Sequence, residues 1–458
     1  MLKRTIKTFV SRLLNPAQRA RSNGPRRYER QEHGIDRRLV SRHAVKVCEV
    51  LSQHGYEAYV VGGAVRDLIV GLEPKDFDVA TNATPEQIRS LFRRARIIGR
   101  RFRLVHVVFG QEIIETSTFR ADDSGKQTDE HGRILRDNEF GTLQDDAARR
   151  DFTLNALYYD PLSETVIDYH NGVADLKERL VRIIGDPETR YREDPVRMLR
   201  AVRFAAKLDA SIEAKTHEPI KRLSRLIENV PESRLCDETL KLLNCGHAMD
   251  CIRRLQDEGL HNKLLPMVEP VLRLPDGEAF LDMALARTDS RVRAGKSASP
   301  SFIYACLLWK LVQKDWLLRC DKGEHPQQAL LEAADAVIES QTRVMPIQKR
   351  YQSDMREIWF MQPRFERVAN RAIWRMTEQP RFRAAVDFLQ LRAEAKEVDS
   401  VLAQWWMDLA NAGDDERSEM IAVRKPAGAA AAPRSGQRRN RRRRSNAKRT
   451  QQAGGIEP

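Results

Sequence analysis

Two aspartates separated by a single residue are the clearest sign of chemistry in this chain of 458 residues. Asp76 and Asp78 lie in a short run, residues 75–80, that is predicted to form a strand in which Phe77 and Val79 alternate with them. Because successive strand side chains point to opposite faces, both carboxylates should share one face. Such a pair is costly without a cation. The pattern therefore predicts a divalent-metal site, where two ions could stabilise both the attacking and the leaving oxygen of a phosphoryl transfer.

A pair of glycines, Gly62 and Gly63, lies between a short predicted strand and a predicted helix. The N–H groups at the start of a helix have no partner within the helix and bind phosphate readily, and glycine allows a close approach of the backbone. Arg66 in the first turns can add a positive charge, and Asp67 next to it belongs to the same predicted nucleotide-binding set. Taken alone, each feature is weak, since a surface aspartate pair or a glycine turn is common. Their combination within residues 59–81 is specific.

The segment 59–81 resembles the first motif of the class II nucleotidyltransferases, the family of the bacterial poly(A) polymerases and CCA-adding enzymes. Residues 149–156 are similar to the family's second motif, which contacts the nucleotide sugar and phosphates. Residues 169–176 look like its flexible connection, and residues 193–200 resemble its base-reading motif. The resemblance covers roughly residues 50–265. It implies templateless transfer of nucleotides to an RNA 3′ end.

The resemblance also implies roles for further residues. Asp151 is expected to be essential for catalysis, and Glu115, on a neighbouring predicted strand, fits the position of a third metal-binding carboxylate. Which of these two acids contacts metal stays open. The predicted nucleotide contacts beyond the glycine turn are Arg149, Arg150, Asn155, Asp194, Arg197, Arg200 and Arg203. The alternatives are that Asp194 simply caps a helix and that the arginines, three residues apart, form a solvated face.

The elements that must position these residues indicate an α+β fold, with a small mixed sheet followed by helices. Strand-like runs at residues 103–109 and 112–119 flank Gly110 and predict a hairpin. Thr84 followed by Pro85 predicts the start of a helix. The polar residues 121–142 predict a mobile loop over or near the site. Strand signals vanish after about residue 172. The expected units are a basic N-terminal arm (1–37), a catalytic domain (38–171), a helical neck for base recognition (172–235), a helical RNA-binding body (236–423) and a disordered Arg-rich tail (424–458).

The segment 97–107 is similar to a signature of the bacterial poly(A) polymerases that CCA-adding enzymes lack. It favours polyadenylation with ATP, Mg²⁺ or Mn²⁺, and release of pyrophosphate. RNA 3′ ends of mRNA and other transcripts are the expected partner, with RNA-decay proteins as a further one. The arginines expected to bind RNA are Arg100, Arg101, Arg103, Arg441, Arg442, Arg443 and Arg444. The alternatives are a tRNA CCA-adding enzyme and a noncatalytic RNA-binding adaptor. A phosphohydrolase is disfavoured because no HD metal-ligand cluster is found.

The net charge of +14 is concentrated at the two ends of the chain. Residues 1–28 hold eight basic and no acidic side chains, and residues 434–458 hold nine basic and one acidic. Basic segments of this kind bind polyanions by counterion release. The first is predicted to be a basic arm, with a mitochondrial-type presequence or a membrane-surface helix as alternatives. Six cysteines without a CxxC pair, and no long apolar run, predict a cytoplasmic protein with reduced thiols and no integral membrane segment.

Overall fold

The computed structural model describes residues 24–99, 103–121, 140–367 and 370–423. It confirms the α+β class, with one mixed sheet of eight strands followed by helices. The strands of this sheet are β1 (Arg26–Tyr28), β2 (Ala58–Val61), β3 (Asp78–Thr81), β4 (Ala95–Ile98), β5 (Leu104–Phe109), β6 (Glu112–Thr118), β7 (Leu157–Asp160) and β8 (Thr165–Asp168). Their order across the sheet is β1-β8-β7-β2-β3-β6-β5-β4. Within this sheet, among the described residues, only β3 and β6 pair in parallel.

Helices cover the sheet and connect its strands. They are α1 (Arg30–His33), α2 (Arg42–Gln53), α3 (Gly63–Ile69), α4 (Pro85–Leu91), α5 (Leu143–Ala148) and α6 (Gly172–Lys177). Helix α2 packs on one face through the buried side chains of Val47, Cys48 and Leu51, which share a core with Phe77 and Val79. Helix α4 begins as predicted, with Thr84 as the N-cap and Pro85 in its first turn. This face is therefore apolar. The other face carries Asp78 and Glu115, and a smaller apolar cluster that includes Val61, Ala80 and Tyr158 covers part of it.

The predicted hairpin is confirmed, because β5 and β6 pair antiparallel from Leu104 and Ser117 to Phe109 and Glu112. The first strand of the sheet was not expected. Residues 26–28, which sequence reasoning placed in the basic arm, pair antiparallel with β8 at the sheet edge. Two of these three residues are arginines on an exposed edge, so the segment lacks the apolar alternation that predicts a strand.

The absence of strands after residue 172 was a wrong prediction. Strands β9 (Leu180–Val181) and β10 (Ser211–Ile212) form a separate parallel pair beside the connecting helices. Each has only two residues, which is too short for a periodic pattern to appear in the sequence. The helices of this region are α7 (Pro187–Glu193), α8 (Val196–Lys207) and α9 (Ala214–Leu223). Helix α8 carries the third motif toward the sheet.

The remainder of the described chain is helical. Its elements are α10 (Glu232–Leu243), α11 (Ala248–Asp257), α12 (His261–Leu264), α13 (Val268–Leu272), α14 (Gly277–Arg293), α15 (Pro300–Asp321), α16 (Pro326–Val344), α17 (Lys349–Arg367), α18 (Asn370–Thr377), α19 (Phe382–Glu394), α20 (Ser400–Asn411) and α21 (Asp414–Val423). One continuous apolar core runs from the sheet to α19, and a second cluster joins α17 to α21. Trp309, Trp359 and Trp406 are fully buried, so they pack the core rather than stack on RNA. None of the helices described is long and apolar enough to cross a membrane.

Candidate active site

Asp78 and Glu115 lie side by side at the centre of the sheet. They are directly paired in the parallel register of β3 and β6, and Glu115 also faces His106 of β5, with Nε2 and Oε1 3.4 Å apart. Burial, together with the negative charges of Glu115 and Asp76, raises the pKa of Asp78 to about 6, while the positive charge of Arg150 opposes the shift. Three acids therefore act on one another electrostatically at this position, as the ligands of a cation would.

The strand that carries Asp78 begins later than the sequence predicted. It starts at Asp78 because β2 ends at Val61, directly opposite, where Gly62 turns the chain away. Asp76 therefore lies in the segment before β3 and has no ladder partner there. The alternation nevertheless holds, since Phe77 is buried and both aspartates are exposed. Among the described residues, no three acidic, histidine or cysteine side chains already converge into a formed metal cage.

The glycine turn lies next to a half-buried arginine, Arg150. Gly62 has φ +69° and ψ −127°, a conformation that L side chains rarely adopt, and it begins helix α3. A Cβ added at Gly62 would lie 3.3 Å from Nη1 of Arg150. The same Nη1 donates a hydrogen bond to the carbonyl oxygen of Asn155, 3.3 Å away. Arg150 thus lies directly against the backbone of the glycine turn.

Arg150 is held by two residues that sequence reasoning missed. Its Nη2 donates to Oδ2 of Asp146 at 3.0 Å, and its Nε donates to the Tyr158 hydroxyl at 2.9 Å. The Tyr158 hydroxyl in turn donates to Asp146 at 2.7 Å. Burial alone would lower the pKa of Arg150, but Tyr158 and Asp146 raise it above its ordinary value. The spacing of four residues between Asp146 and Arg150 was the signal available, because such pairs meet on a helix.

A chain of hydrogen bonds joins the first two motifs to helix α8. Arg200 donates through Nε to Oδ2 of Asp151 at 2.7 Å. Nδ2 of Asn155 donates to the other Asp151 oxygen at 3.0 Å. Nη1 of Arg66 donates to Oδ1 of Asn155 at 2.7 Å. Burial opposes ionisation of Asp151, yet Arg200 and Asn155 hold its pKa below the ordinary value. Asp151 is therefore an ionised carboxylate that accepts hydrogen bonds from Arg200 and Asn155. Glu115, by contrast, lies beside Asp78.

Three arginines surround the ring of Phe204 on helix α8. The guanidinium carbons of Arg66, Arg200 and Arg203 lie 4.8, 5.4 and 4.5 Å from its centroid. Burial, together with the positive charge of Arg200, lowers the pKa of Arg203. The cations outnumber their nearby acids, which favours binding of a polyphosphate here.

The acids around this cluster only partly neutralise it. Asp67 accepts from Nζ of Lys207 at 2.7 Å and pairs with Arg66. Glu238 of α10 lies 3.8 Å from Arg203, and its Oε2 is buried without a hydrogen-bond partner in the described part of the chain. The contacts of Lys207 and Glu238 arise only when α8 packs against α3 and α10, so no local pattern indicates them.

The residues expected to read the base are engaged with other partners. Asp194 binds Nη2 of Arg234 at 2.9 Å and accepts from the Val196 N–H at 3.3 Å, although the N-cap of α8 is Pro195 rather than Asp194. Arg197 donates to Glu193 at 2.9 Å. Both side chains lie at the start of α8, next to Arg200 in the helix, but no direct contact joins Asp194 to Arg197 through their side chains in the described structure.

Several predicted RNA-binding residues lie outside the described residues, namely Arg100, Arg101 and the four tail arginines 441–444. Most of the loop expected at residues 121–142 also lies outside them. Arg103 is described and forms an ion pair with Glu86. Arg149 begins the second motif, and its carbonyl oxygen accepts from Nη2 of Arg190 at 2.7 Å.

Three family models match the chain. The model of the poly A polymerase head domain matches residues 58–182, the model of a probable RNA and SrmB-binding site of polymerase A matches residues 210–272, and the model of the polymerase A arginine-rich C-terminus matches residues 322–446. The first of these contains Asp78, Glu115 and the second motif.

The similar curated proteins fall into two groups. Poly(A) polymerase I of Salmonella typhi is 43% identical over 406 residues, covering 86% of this chain and 87% of that protein. The same enzyme of Haemophilus influenzae is 42% identical over 423 residues, covering 88% and 93%. The CCA-adding enzyme of Lactobacillus helveticus is 40% identical over 199 residues, covering 43% of this chain and 49% of that enzyme.

Solved structures agree on the fold. The Thermotoga maritima CCA-adding enzyme complexed with tRNA has a TM-score of 0.52 at 18% identity, covering 88% of this chain and 91% of that one. A tRNA nucleotidyltransferase complexed with a primer tRNA and an ATP analogue has a TM-score of 0.53 at 22% identity, covering 80% and 98%. At these identities the likeness concerns the fold alone.

Proposed function

Because the chain belongs to the bacterial poly(A) polymerase family, we propose that its site adenylates RNA 3′ ends with Asp76, Asp78 and Glu115 as the catalytic carboxylates. The chain is a poly(A) polymerase that extends RNA without a template, using ATP and releasing pyrophosphate. The observation that carries this conclusion is an identity above 40% to poly(A) polymerase I across 86% of the chain. The direct pairing of Asp78 with Glu115 supports the assignment of the site.

The reaction depends on metal, as in the nucleotidyltransferase family. The three carboxylates suit it, because carboxylate oxygens are the preferred ligands of Mg²⁺ and Mn²⁺, and burial together with the neighbouring acids raises the pKa of Asp78. We assign Glu115, rather than Asp151, as the third ligand, since Asp151 is committed to Arg200. When bound, Mg²⁺ or Mn²⁺ supplies Lewis-acid charge that lowers the pKa of the RNA 3′ hydroxyl and offsets the charge of the leaving pyrophosphate.

The protein's own groups bind and orient ATP. The N–H group of Gly63 and the guanidinium of Arg66 are assigned to the triphosphate, with Arg150 against the turn and Arg149 beside it. The Gly62 N–H already donates to the Leu157 carbonyl oxygen at 3.3 Å, so Gly62 acts through its backbone conformation. Asp151 and Asn155 hold Arg200 and Arg66 in place for the sugar and phosphates, and Arg203 adds charge from the same helix.

Adenine is assigned to the start of α8, where Asp194 and Arg197 offer acceptors and donors for the base edge. Both are bonded to neighbours in the described structure, Asp194 to Arg234 and Arg197 to Glu193. Base reading at this position therefore requires ATP to exchange with, or add to, those contacts. The enzyme is specific for ATP if adenine forms these contacts more favourably in the transition state than the bases of the other nucleoside triphosphates do.

RNA is assigned to the helical region after residue 210 and to the basic tail, where Arg441 to Arg444 provide sequence-independent charge. Residues 210–272 are also the proposed contact for RNA-processing or RNA-decay proteins, because the matched family model describes a binding site of that kind. The proposed location of the chain is the cytoplasm, where transcripts and ATP are available.

The second candidate, CCA addition, rests on the shared head motifs. The similar CCA-adding enzyme of Lactobacillus helveticus matches only 43% of this chain, while the poly(A) polymerases extend into the C-terminal helices. A catalytically inactive adaptor is disfavoured by the presence of Asp78, Glu115 and the Asp151–Arg200 pair in one site.

The test is to incubate the purified chain with a short RNA, Mg²⁺ and each nucleoside triphosphate separately. Long extension with ATP alone is expected, and Asp78→Ala should reduce it by roughly 10³-fold or more, because a charge-stabilising group is removed from the transition state. The matched control is Asp36→Ala, an exposed aspartate that binds Arg38 far from the site in sequence.

Extension that stops after three nucleotides, and only on tRNA, would replace this function by CCA addition. Absence of extension by the wild-type chain, or full activity in Asp78→Ala, would overturn it.

A further inference from the structure

We propose that an open groove at the β5–β6 turn binds the RNA strand upstream of its 3′ end, as an accessory primer site on the sheet domain. The groove has a volume of about 410 Å³ and is lined by His43, Phe92, Arg93, Arg94 and residues 107–110. It lies outside the residues assigned above to metal, ATP or RNA. The inference rests on the proposed polyadenylation of RNA and deepens it.

Two adjacent arginines provide the charge. Arg93 and Arg94 are both exposed, and no carboxylate within the described ranges forms an ion pair with either. The Arg94 backbone is nevertheless fixed, because its carbonyl oxygen accepts from the Val108 N–H at 3.0 Å. Arg96 on the edge strand β4 is exposed as well and extends the positive surface. Guanidinium groups without a carboxylate partner, carried on a fixed backbone, are suited to binding phosphate.

An aromatic stack provides a surface for a base. The rings of His43 and Phe109 are parallel within 10°, with centroids 4.6 Å apart. Glu112 holds this stack in place, since one of its oxygens bonds Nδ1 of His43 and the other accepts from the Ser41 hydroxyl, each at 2.5 Å. Phe92 adds a third, partly buried ring to the wall. Fixed rings beside free arginines are the combination by which proteins bind single-stranded nucleic acid without sequence preference.

The position of the groove favours RNA over a free nucleotide. Phe109 pairs with Glu112 at the hairpin end, and His106 of the same strand pairs with the catalytic Glu115. The two points are three strand residues apart, or roughly 10 Å at about 3.4 Å per residue, and alternation puts Phe109 on the α2 face and Glu115 on the opposite face. A polymer bound in the groove can pass round the hairpin end so that its own end lies at the metal site, whereas a free nucleotide in the groove could not reach the catalytic acids.

The experiment compares the double variant Arg93→Ala/Arg94→Ala with wild type on two oligoadenylate primers, of about 4 and about 15 nucleotides, the range over which such sites bind RNA. The KM of the longer primer should rise about tenfold or more, because two charge-assisted phosphate contacts are lost. The KM of the shorter primer, the KM of ATP and kcat at saturating RNA should stay unchanged. The salt dependence of binding should become shallower by about 1.4 in log–log slope.

The matched control is Arg37→Ala/Arg38→Ala, which removes an adjacent exposed arginine pair that is bound to Glu164 and Asp36 and lies outside the basic segment 1–28. A second variant, Phe109→Leu, keeps apolar volume but removes the stack, and should also raise the KM of the longer primer. If wild type extends both primers and the Arg93/Arg94 variant behaves like the control, the groove proposal fails while polyadenylation stands. A rise in the KM of ATP alone would assign the groove to a mononucleotide and overturn the RNA inference.

Discussion

The pairing of Asp78 with Glu115 is the part of the site that sequence reasoning could approach most closely at the residue scale. Alternation along the chain correctly put Asp76 and Asp78 on the exposed side and Phe77 in the core. The partner acid was left open between Glu115 and Asp151. It could not be decided from sequence, because the parallel register of β3 and β6 depends on how distant strands assemble.

The Asp151–Arg200 pair allows a prediction at the same scale. Asp151→Ala would leave Arg200 near Arg203 without its main anion, so the free energy of unfolding should fall by about 2 kcal/mol. Because Arg200 would no longer be held toward the nucleotide, the KM of ATP should also rise. Urea unfolding and initial-rate kinetics measure the two effects.

The matched control for that prediction is Asp209→Ala, since Asp209 forms an exposed ion pair with Arg179. Exposed pairs contribute little, so unfolding should change by less than about 0.5 kcal/mol and the KM of ATP should be unaffected. Loss of stability in Asp151→Ala without any change in the KM of ATP would make the Asp151–Arg200 pair purely structural.

At the scale of elements, the glycine turn between β2 and α3 is the critical junction. Gly62→Ala would place a methyl group 3.3 Å from Arg150 in a conformation that L residues avoid. The strain should cost about 1–2 kcal/mol of stability. Because the phosphate-binding N–H groups would move, kcat/KM for ATP should fall more than tenfold, as steady-state extension assays would show.

Gly71→Ala is the control for the glycine turn. Gly71 ends α3 with φ +76° and has open space around its missing side chain. It should lose similar stability through backbone strain but keep its activity. Equal kcat/KM for ATP in both variants would show that the glycine turn does not contribute to ATP binding.

The elements also show where local patterns reach their limit. The β5–β6 hairpin and the Thr84–Pro85 start of α4 were predicted because the residues that determine each of them are neighbours in the sequence. Strands β1, β9 and β10 were not, since each is very short and is stabilised by a distant partner. The ring of Phe204 shows the same limit, because its three arginines come together only through packing of α8 against the sheet domain.

For the whole molecule, the charge distribution gives a prediction about RNA affinity. Deleting residues 434–458 removes nine basic side chains, so RNA binding should weaken and its dependence on salt should flatten. Fluorescence anisotropy over a range of salt concentrations measures both. Glutamine at positions 441–444 is the milder variant and should give a smaller change in the same direction.

Extension of a very short primer at saturating RNA should be preserved in the deletion, because the catalytic sheet lies elsewhere in the chain. Unchanged affinity at low salt would exclude the tail from RNA binding.

The strand order of the sheet has a consequence for the synthesis of the protein on the ribosome. The central strand β2 pairs with β3 on one side and with β7 on the other, and the far edge is closed when β8 meets β1, which lies about 140 residues earlier in the chain. Contacts of such long sequence separation form slowly, because loop closure precedes any gain from pairing. Asp76, Asp78 and Glu115 thus emerge well before the scaffold that fixes them. We therefore expect a nascent chain to have no polymerase activity until β8 and the arginines of α8 have left the exit tunnel.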